Sequence, residues 1–158
     1  MVITQMAEEE CGAFLANASL GRLGCSLENQ PYVVPIYFVY EPGFLYSLST
    51  VGQKTEWMRS NPKVCLEVDE IANQSQWMSV IANGRYQELP EPQFTTEREH
   101  ARMLLGKRYR WWQNALAERQ LRFGDHAIAP LFFRILIDSM TGLRASDESA
   151  GSGKGPRE

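Results

Sequence analysis

The spacing of apolar residues changes after the first twenty positions of the chain. A helix with Thr4 as its N-cap is predicted first, because acidic residues occupy its first turns and an apolar face follows at helical spacing. That face is formed by Cys11, Phe14, Leu15 and Ala18. Beyond Gly21 the period shortens, and extended runs alternate with turn residues.

Six of these runs read as strands. The predicted strands cover residues 21–26, 32–40, 44–49, 64–68, 77–88 and 131–138. Pro35 cannot donate to a ladder, so its strand should lie at an edge or carry a bulge, and Gly84 predicts a bulge or sharp bend. Consecutive strands joined by tight turns favour antiparallel pairing. The pattern therefore predicts a mainly β fold, a small barrel or sandwich with a few helices at its ends.

Two further helices and a tail complete the organisation. A short helix over residues 53–60 is expected, with Thr50 as N-cap and Gln53 three residues on, ended by Asn61-Pro62. Another opens at Thr96-x-x-Glu99. From Ser146 onward the chain is polar and rich in Gly and Ser, which predicts a disordered tail (146–158) after one domain (1–145).

Composition and residue spacing limit the partners, the compartment and the kind of site that can be expected. A net charge of −3 does not favour nucleic acid or an anionic membrane as partner, and no apolar run is long enough to span a bilayer. The N-terminus does not resemble a signal peptide, so the cytoplasm is the expected compartment. Three cysteines and two histidines lack metal-ligand spacing, and no metal is expected. Buried thiols are favoured over a catalytic Cys/His pair, so any chemistry would use a cofactor.

The turn after the third strand is the most informative stretch. Hydroxyls, a glycine and a lysine converge where a helix begins, an arrangement that suits a phosphate monoester. These residues are Ser47, Ser49, Thr50, Gly52 and Lys54. The alternative, favoured on spacing alone, is an ordinary strand-to-helix turn with a solvated lysine.

Three other features have two interpretations each. Val34-Pro35-Ile36 could present free backbone groups to a planar ligand or simply form a barrel edge. Trp77, Trp111 and Trp112 could contact a flat heterocycle or fill a core. Residues 97–122 carry seven basic against three acidic side chains, which could bind single-stranded nucleic acid or form a solvated helix face, the favoured alternative.

Taken in order, several segments resemble a known family over roughly residues 5–145. The segments include Tyr32-Val-Val-Pro-Ile-Tyr37, Gly52-Gln-Lys54, Arg108-Tyr-Arg-Trp-Trp112 and Phe133-Arg-Ile135. The chain resembles the FMN-binding split barrels of the pyridoxamine 5′-phosphate oxidase-like superfamily, nearest the nitroimidazole-resistance flavoproteins. The order of the segments is more specific than any one of them. The fold class this implies is a six-stranded antiparallel split barrel.

The resemblance also implies a site. It implies a homodimer that binds two FMN molecules at the subunit interface. The residues implied for the phosphate are Ser47, Ser49, Thr50, Gln53 and Lys54, with Gly52 in the same turn. Those implied for the flavin ring are Val34, Pro35, Ile36 and Tyr37, with Ser79 near the ring's polar edge. Trp77 and Trp112 would contribute from either subunit.

Departures from the family pattern limit the function. Tyr32 and Tyr37 replace basic residues of pyridoxamine phosphate oxidase, and that enzyme's C-terminal arginine/histidine segment has no counterpart, so its activity is not expected. We expect an FMN-dependent oxidoreductase of unknown substrate, nitroreductase-like or detoxifying, which could use a nicotinamide donor; no catalytic residue is identified. The alternatives are a non-catalytic store for flavin, haem or deazaflavin and, less favoured, a nucleic-acid-binding module.

Overall fold

The computed structural model of the protein describes residues 1–108 and 130–147. These ranges contain eight strands and three helices. In chain order the elements are β1 (Val2–Met6), α1 (Glu8–Asn17), β2 (Leu20–Leu27), β3 (Gln30–Tyr37), β4 (Val39–Glu41), β5 (Phe44–Ser49), α2 (Gln53–Ser60), β6 (Lys63–Asn73), β7 (Gln76–Glu88), α3 (Thr95–Arg108) and β8 (Leu131–Ser146). The predicted mainly β, antiparallel fold is confirmed.

All eight strands belong to one antiparallel sheet. Its order is β3-β2-β6-β7-β8-β5-β4, and β1 also pairs with β8. The strand β3 pairs only with β2 in this sheet, so the edge position predicted from Pro35 is confirmed. The sheet curves until β3 approaches β5, where the Ser47 hydroxyl donates to the Tyr37 carbonyl over 2.7 Å.

Register separates an inner from an outer face of the sheet. Buried and exposed side chains alternate along the strands, as a pleated sheet requires. Residues that pair across neighbouring strands therefore form rows that lie on one face. The inner row is Val34, Leu23, Leu66, Ala82 and Met140. The adjacent outer row is Pro35, Arg22, Glu67, Ile81 and Thr141. Members of the first row are buried or half-buried, whereas members of the second are half-buried or exposed.

Two apolar clusters fill the molecule. The larger occupies the inner face and includes fully buried Leu15 from α1 and Met58 from α2, so both helices contribute to the barrel core. The smaller cluster packs α3 against β4, β5 and β8 through Ala101, Leu105 and Phe132. The helix α3 therefore covers one face of β4, β5 and the start of β8.

Several local predictions need correction. The structure has eight strands where six were predicted, because β1 was missed and the 32–40 run divides into β3 and β4. Thr4 lies in β1 opposite Arg144 and is not an N-cap; α1 is capped by Ala7, whose N–H donates to Glu10 over 2.8 Å. A β-bulge between Asn83 and Gly84 confirms the prediction for that glycine.

The remaining predictions concern thiols and segments near the C-terminus. Cys11, Cys25 and Cys65 are free thiols, the first two buried, as expected. The tail was predicted to begin at Ser146, but this residue ends β8 and pairs with Val2. Trp111, Trp112 and most of the basic aromatic segment lie outside the described residues, as does the tail from 148 onward.

Candidate functional site

The turn from β5 into α2 forms the centre of the candidate site. Alternation in β5 directs Leu45, Ser47 and Ser49 to the inner face. The helix α2 then begins at Gln53, capped by Gly52 and not by Thr50 as predicted. The buried Thr55 hydroxyl fixes this start, since it accepts from the Gly52 N–H over 2.8 Å and donates to the Gly52 carbonyl over 2.9 Å.

Lys54 points from this helix toward the barrel. Its ammonium is half-buried and donates to the Ser49 hydroxyl, which in turn donates to the Thr50 carbonyl over 3.0 Å. Burial lowers the pKa of Lys54, because a charged amine is less well solvated there. Among the residues that the structure describes, no carboxylate lies within ion-pair distance of it. Lys54 is therefore a partly desolvated cation whose charge nothing in the described chain neutralises.

The far end of α2 is fixed to the sheet by a polar cluster. Arg59 forms an ion pair with Glu88 of β7, with its Nη2 at 3.3 Å from Oε2. The buried Tyr86 hydroxyl donates to the same carboxylate over 2.8 Å, and burial followed by this bond raises the pKa of Tyr86. Asn61, just after the helix, donates to the Ser26 carbonyl over 3.0 Å. These contacts hold the helix, and with it Lys54, in one orientation.

The predicted ring-binding residues divide between the two faces of β3. Val34 and Ile36 point into the barrel, whereas Pro35 and Tyr37 lie on the outer face. Tyr37 also meets the turn residue Ser47 through the hydrogen bond already described. The edge strand therefore connects the outer face to the candidate phosphate turn within a single chain.

Not every predicted site residue joins this group. Thr50 and Gly52 are half-buried beside Lys54, and Gln53 is exposed at the helix start. Ser47 is buried and uses its hydroxyl on Tyr37. Trp77 and Ser79 lie at the start of β7, where they pair with Ile71 and Asp69 of β6. Trp112 lies outside the described residues.

Cys25 belongs to the site although it was not predicted there. The thiol is buried on the inner face, and the Lys54 ammonium is close enough to act on it electrostatically. Burial, and then the neighbouring Cys65, raise its pKa, while Lys54 acts in the opposite direction. A signal existed in the sequence, because Leu23 and Cys25 alternate on β2 and so share a face. The distance to Lys54 could not be read from the sequence, since it depends on how α2 packs on β2.

Two kinds of feature are absent from the described residues. In residues 1–108 and 130–147, no three His, Cys, Asp or Glu side chains are grouped as a metal ion would require. No helix in these ranges has the length and apolarity needed to cross a membrane.

Comparison with known proteins identifies the family. The fold and turn described above define an antiparallel split barrel, and the pyridoxamine 5′-phosphate oxidase family model matches residues 7–144. An uncharacterized protein of Rhizobium meliloti is 43% identical over 146 residues, covering 92% of this chain and 97% of that protein. The chain therefore belongs to the pyridoxamine 5′-phosphate oxidase-like family.

Solved structures give the same fold. A FAD-binding protein of Mesorhizobium loti is 38% identical, with a TM-score of 0.75, covering 93% of this chain and 99% of that one. A candidate 5-nitroimidazole antibiotic resistance protein of Bacteroides thetaiotaomicron shares 22% identity, with a TM-score of 0.65 and 93% coverage of both chains. At that identity the second likeness concerns the fold alone.

Proposed function

We propose that this protein binds a flavin whose phosphate contacts the turn between β5 and α2. The observation that carries the proposal is Lys54, a half-buried ammonium with hydroxyls as neighbours and no carboxylate partner in the described chain. The hydroxyl of Thr50, beside it, has no hydrogen-bond partner there either. Such a donor set fits a phosphate, which accepts several charge-assisted hydrogen bonds at once. The FAD-binding relative at 38% identity supports a flavin as the ligand.

The flavin ring would lie along the edge strand β3. An edge strand leaves backbone N–H and C=O groups unpaired, and a planar heterocycle can use them. The strand segment for the ring consists of Val34, Pro35, Ile36 and Tyr37. Its last residue, Tyr37, is hydrogen-bonded to Ser47 of the turn, so one ligand can reach both the strand and the turn. FMN is the smallest flavin that satisfies the turn, and FAD contains the same phosphate.

We propose further that two copies of the chain associate through the outer face. Large apolar residues remain exposed there in one protomer. They include Leu20 (49%), Val33 (65%), Tyr37 (44%), Ile81 (40%) and Leu143 (42%). On the same face Arg22 pairs with both Glu67 and Asp69, each at 3.1 Å, so its own charge is compensated within one chain. A twofold partner would cover this apolar surface and extend the ring site, which in one chain is open beside Pro35.

The proposed activity is that of a flavin-dependent oxidoreductase. When bound, a flavin accepts a hydride from one substrate and passes electrons to another, without an acid or base from the protein. The chain supplies the phosphate contact, the strand that orients the ring and the apolar face that excludes water. A nicotinamide nucleotide is the proposed electron donor, and nitroaromatic reduction is the first activity to assay.

Spectroscopy of the purified full chain tests the proposal. We expect flavin absorbance, release of FMN or FAD on denaturation, and bleaching of the bound flavin by NADH or NADPH under anaerobic conditions. A colourless protein that takes up neither flavin would refute flavin binding. Flavin that binds and resists every nicotinamide donor and nitroaromatic acceptor would indicate a store, and the oxidoreductase assignment would then be wrong.

A further inference from the structure

A groove of about 530 Å³ crosses the outer face of the sheet beside the proposed ring site. Its floor is the row Val33, Gly24, Cys65 and Asn83, the next outer row after that of Pro35. A Cβ at Gly24 would lie 2.9 Å from the Cys65 sulfur, so the thiol lies against this glycine. Because Gly24 has no side chain, the row has a depression at its centre, and the Cys65 thiol borders it.

One wall of the groove carries two cations opposite each other. Lys63 of β6 is paired in register with Arg85 of β7, and both are exposed on the outer face. Side chains at such positions begin about 5 Å apart. Asp138, which the β-bulge leaves without a partner in the ladder, lies 3.4 Å from Arg85. No carboxylate of the described residues pairs with Lys63, so the two cations together keep a net positive charge.

Strand register relates these cations to the ring site. Pro35 is paired with Arg22 and Arg22 with Glu67, and Lys63 lies four residues before Glu67 on β6. From the usual spacing of strands and of residues along a strand, the Cα atoms of Pro35 and Lys63 are about 16 Å apart. In a nicotinamide nucleotide, one ribose joins the nicotinamide ring to the phosphate. That ribose and an extended lysine side chain together bridge this distance.

We propose that this groove binds the phosphates of a nicotinamide nucleotide donor, with Lys63 and Arg85 as the residues that contact them. The inference rests on the proposed function, since it needs a flavin ring beside Pro35. The nicotinamide would face that ring, and Val33 would pack against the ribose. Two adjacent cations suit a pyrophosphate, which accepts charge-assisted hydrogen bonds from both.

The groove also has a route to solvent in the proposed dimer. Charged residues are depleted at the centre of protein interfaces and are common at the rim. Lys63, Arg85 and Asp138 therefore place this part of the outer face at the rim of the proposed contact. A donor can then enter from solvent while the apolar part of the face is covered.

The kinetic test compares two hydride donors on the flavin-loaded full chain. NADH carries phosphates, whereas 1-benzyl-1,4-dihydronicotinamide has none. Anaerobic stopped-flow spectroscopy gives the second-order rate constant for reduction of the bound flavin by each donor. We expect Lys63→Gln and Arg85→Gln each to lower the ratio of the NADH constant to the benzyl-donor constant about tenfold, the effect of losing one charge-assisted hydrogen bond. Lys63→Arg keeps the charge and should retain most of the ratio, and Asp138→Asn removes the competing anion and should raise it.

Alkylation of Cys65 gives a readout that does not depend on reduction of the flavin. Cys65 is half-exposed in the groove, whereas Cys11 and Cys25 are buried, so iodoacetamide should modify Cys65 first. In the oxidised flavoprotein, NAD⁺ should slow this alkylation. Nicotinamide riboside, which lacks the phosphates, should not slow it at the same concentration. The protection by NAD⁺ should be lost in Lys63→Gln.

Arg102→Gln is the matched control, because it removes one exposed positive charge from α3 and should leave the ratio unchanged. Equal effects of Lys63→Gln on both donors, or no protection of Cys65 by NAD⁺, overturn the inference. If Lys63→Gln instead gives monomers in sedimentation, the cations serve the contact between protomers, and the inference is wrong. Flavin reduced by the benzyl donor and not by NADH also overturns it, while flavin-dependent electron transfer stands. A chain that binds no flavin refutes the proposed function itself.

Discussion

Replacing Lys54 with methionine should have opposite effects on flavin binding and on the stability of the flavin-free protein. Methionine keeps the length of the side chain and removes the charge. A phosphate at the turn would lose one charge-assisted hydrogen bond, worth roughly 1.5–3 kcal/mol, so FMN should bind about tenfold to a hundredfold more weakly. Riboflavin has no phosphate, and its affinity should not change.

The stability of the flavin-free protein should rise in the same variant. Burial lowers the pKa of Lys54, so the folded state is destabilised by holding this ammonium while it remains protonated. The destabilisation is present below the folded-state pKa and disappears as pH rises toward the ordinary value of 10.5. We therefore expect Lys54→Met to melt at a higher temperature than the wild type at neutral pH, with a smaller difference at high pH.

Two measurements decide this prediction. Flavin fluorescence titration gives the affinities for FMN and riboflavin, and thermal denaturation of the flavin-free proteins gives the melting temperatures. Lys63→Met is the control, since Lys63 is exposed at the start of β6 and should alter neither quantity. If Lys54→Met binds FMN as tightly as the wild type, the phosphate does not contact this turn, and the reasoning from Lys54 is refuted.

Three further predictions concern the fold and assembly. A Cβ at Gly84 would lie 2.2 Å from the Leu136 carbonyl oxygen. Gly84→Ala should therefore lower the free energy of unfolding, measured by chemical denaturation, by roughly 1–3 kcal/mol. An unchanged denaturation midpoint would contradict this close approach. Ile81→Glu on the outer face should give monomers in sedimentation where the wild type gives dimers, and a monomeric wild type would refute the proposed interface. Ending the chain at Asp147 should leave the melting temperature unchanged, because residues 148–158 are polar; a fall of several degrees would show that they pack.

The local pattern of apolar and polar residues predicted most helices and strands. It failed for strands that form by pairing with residues distant in the sequence. The residues of β1 form a strand because they pair with residues 142–146. The sequence from Val2 to Met6 contains no pattern that predicts this pairing. For the same reason β8 was predicted to stop at Asp138, although pairing with β7 and β1 extends it to Ser146. By contrast, Pro35 has no N–H to donate to a ladder and Gly84 has no Cβ, and these properties of single residues predicted the edge and the bulge correctly.

In the candidate site, too, features set by neighbouring residues were predicted and features set by long-range packing were not. The turn around Lys54 was predicted from a short run of residues, because hydroxyls, glycine and lysine are adjacent there. The position of Cys25 relative to Lys54 depends on how α2 packs on the sheet, which no local spacing encodes. The separation of Val34 from Pro35 onto opposite faces does follow from strand alternation, once the strand is known.

The pairing of β8 has a consequence for synthesis of the chain. This strand forms ladders with β1, β5 and β7, and it is the last element that the structure describes. While the ribosome is still adding residues before 131, β1 and β5 lack their principal partner and one edge of β7 is bare. Contacts between distant parts of a chain form slowly and leave unpaired edges exposed in the meantime. The barrel should therefore close only after β8 has emerged, and until then the unpaired edges of β1, β5 and β7 stay open to non-native pairing.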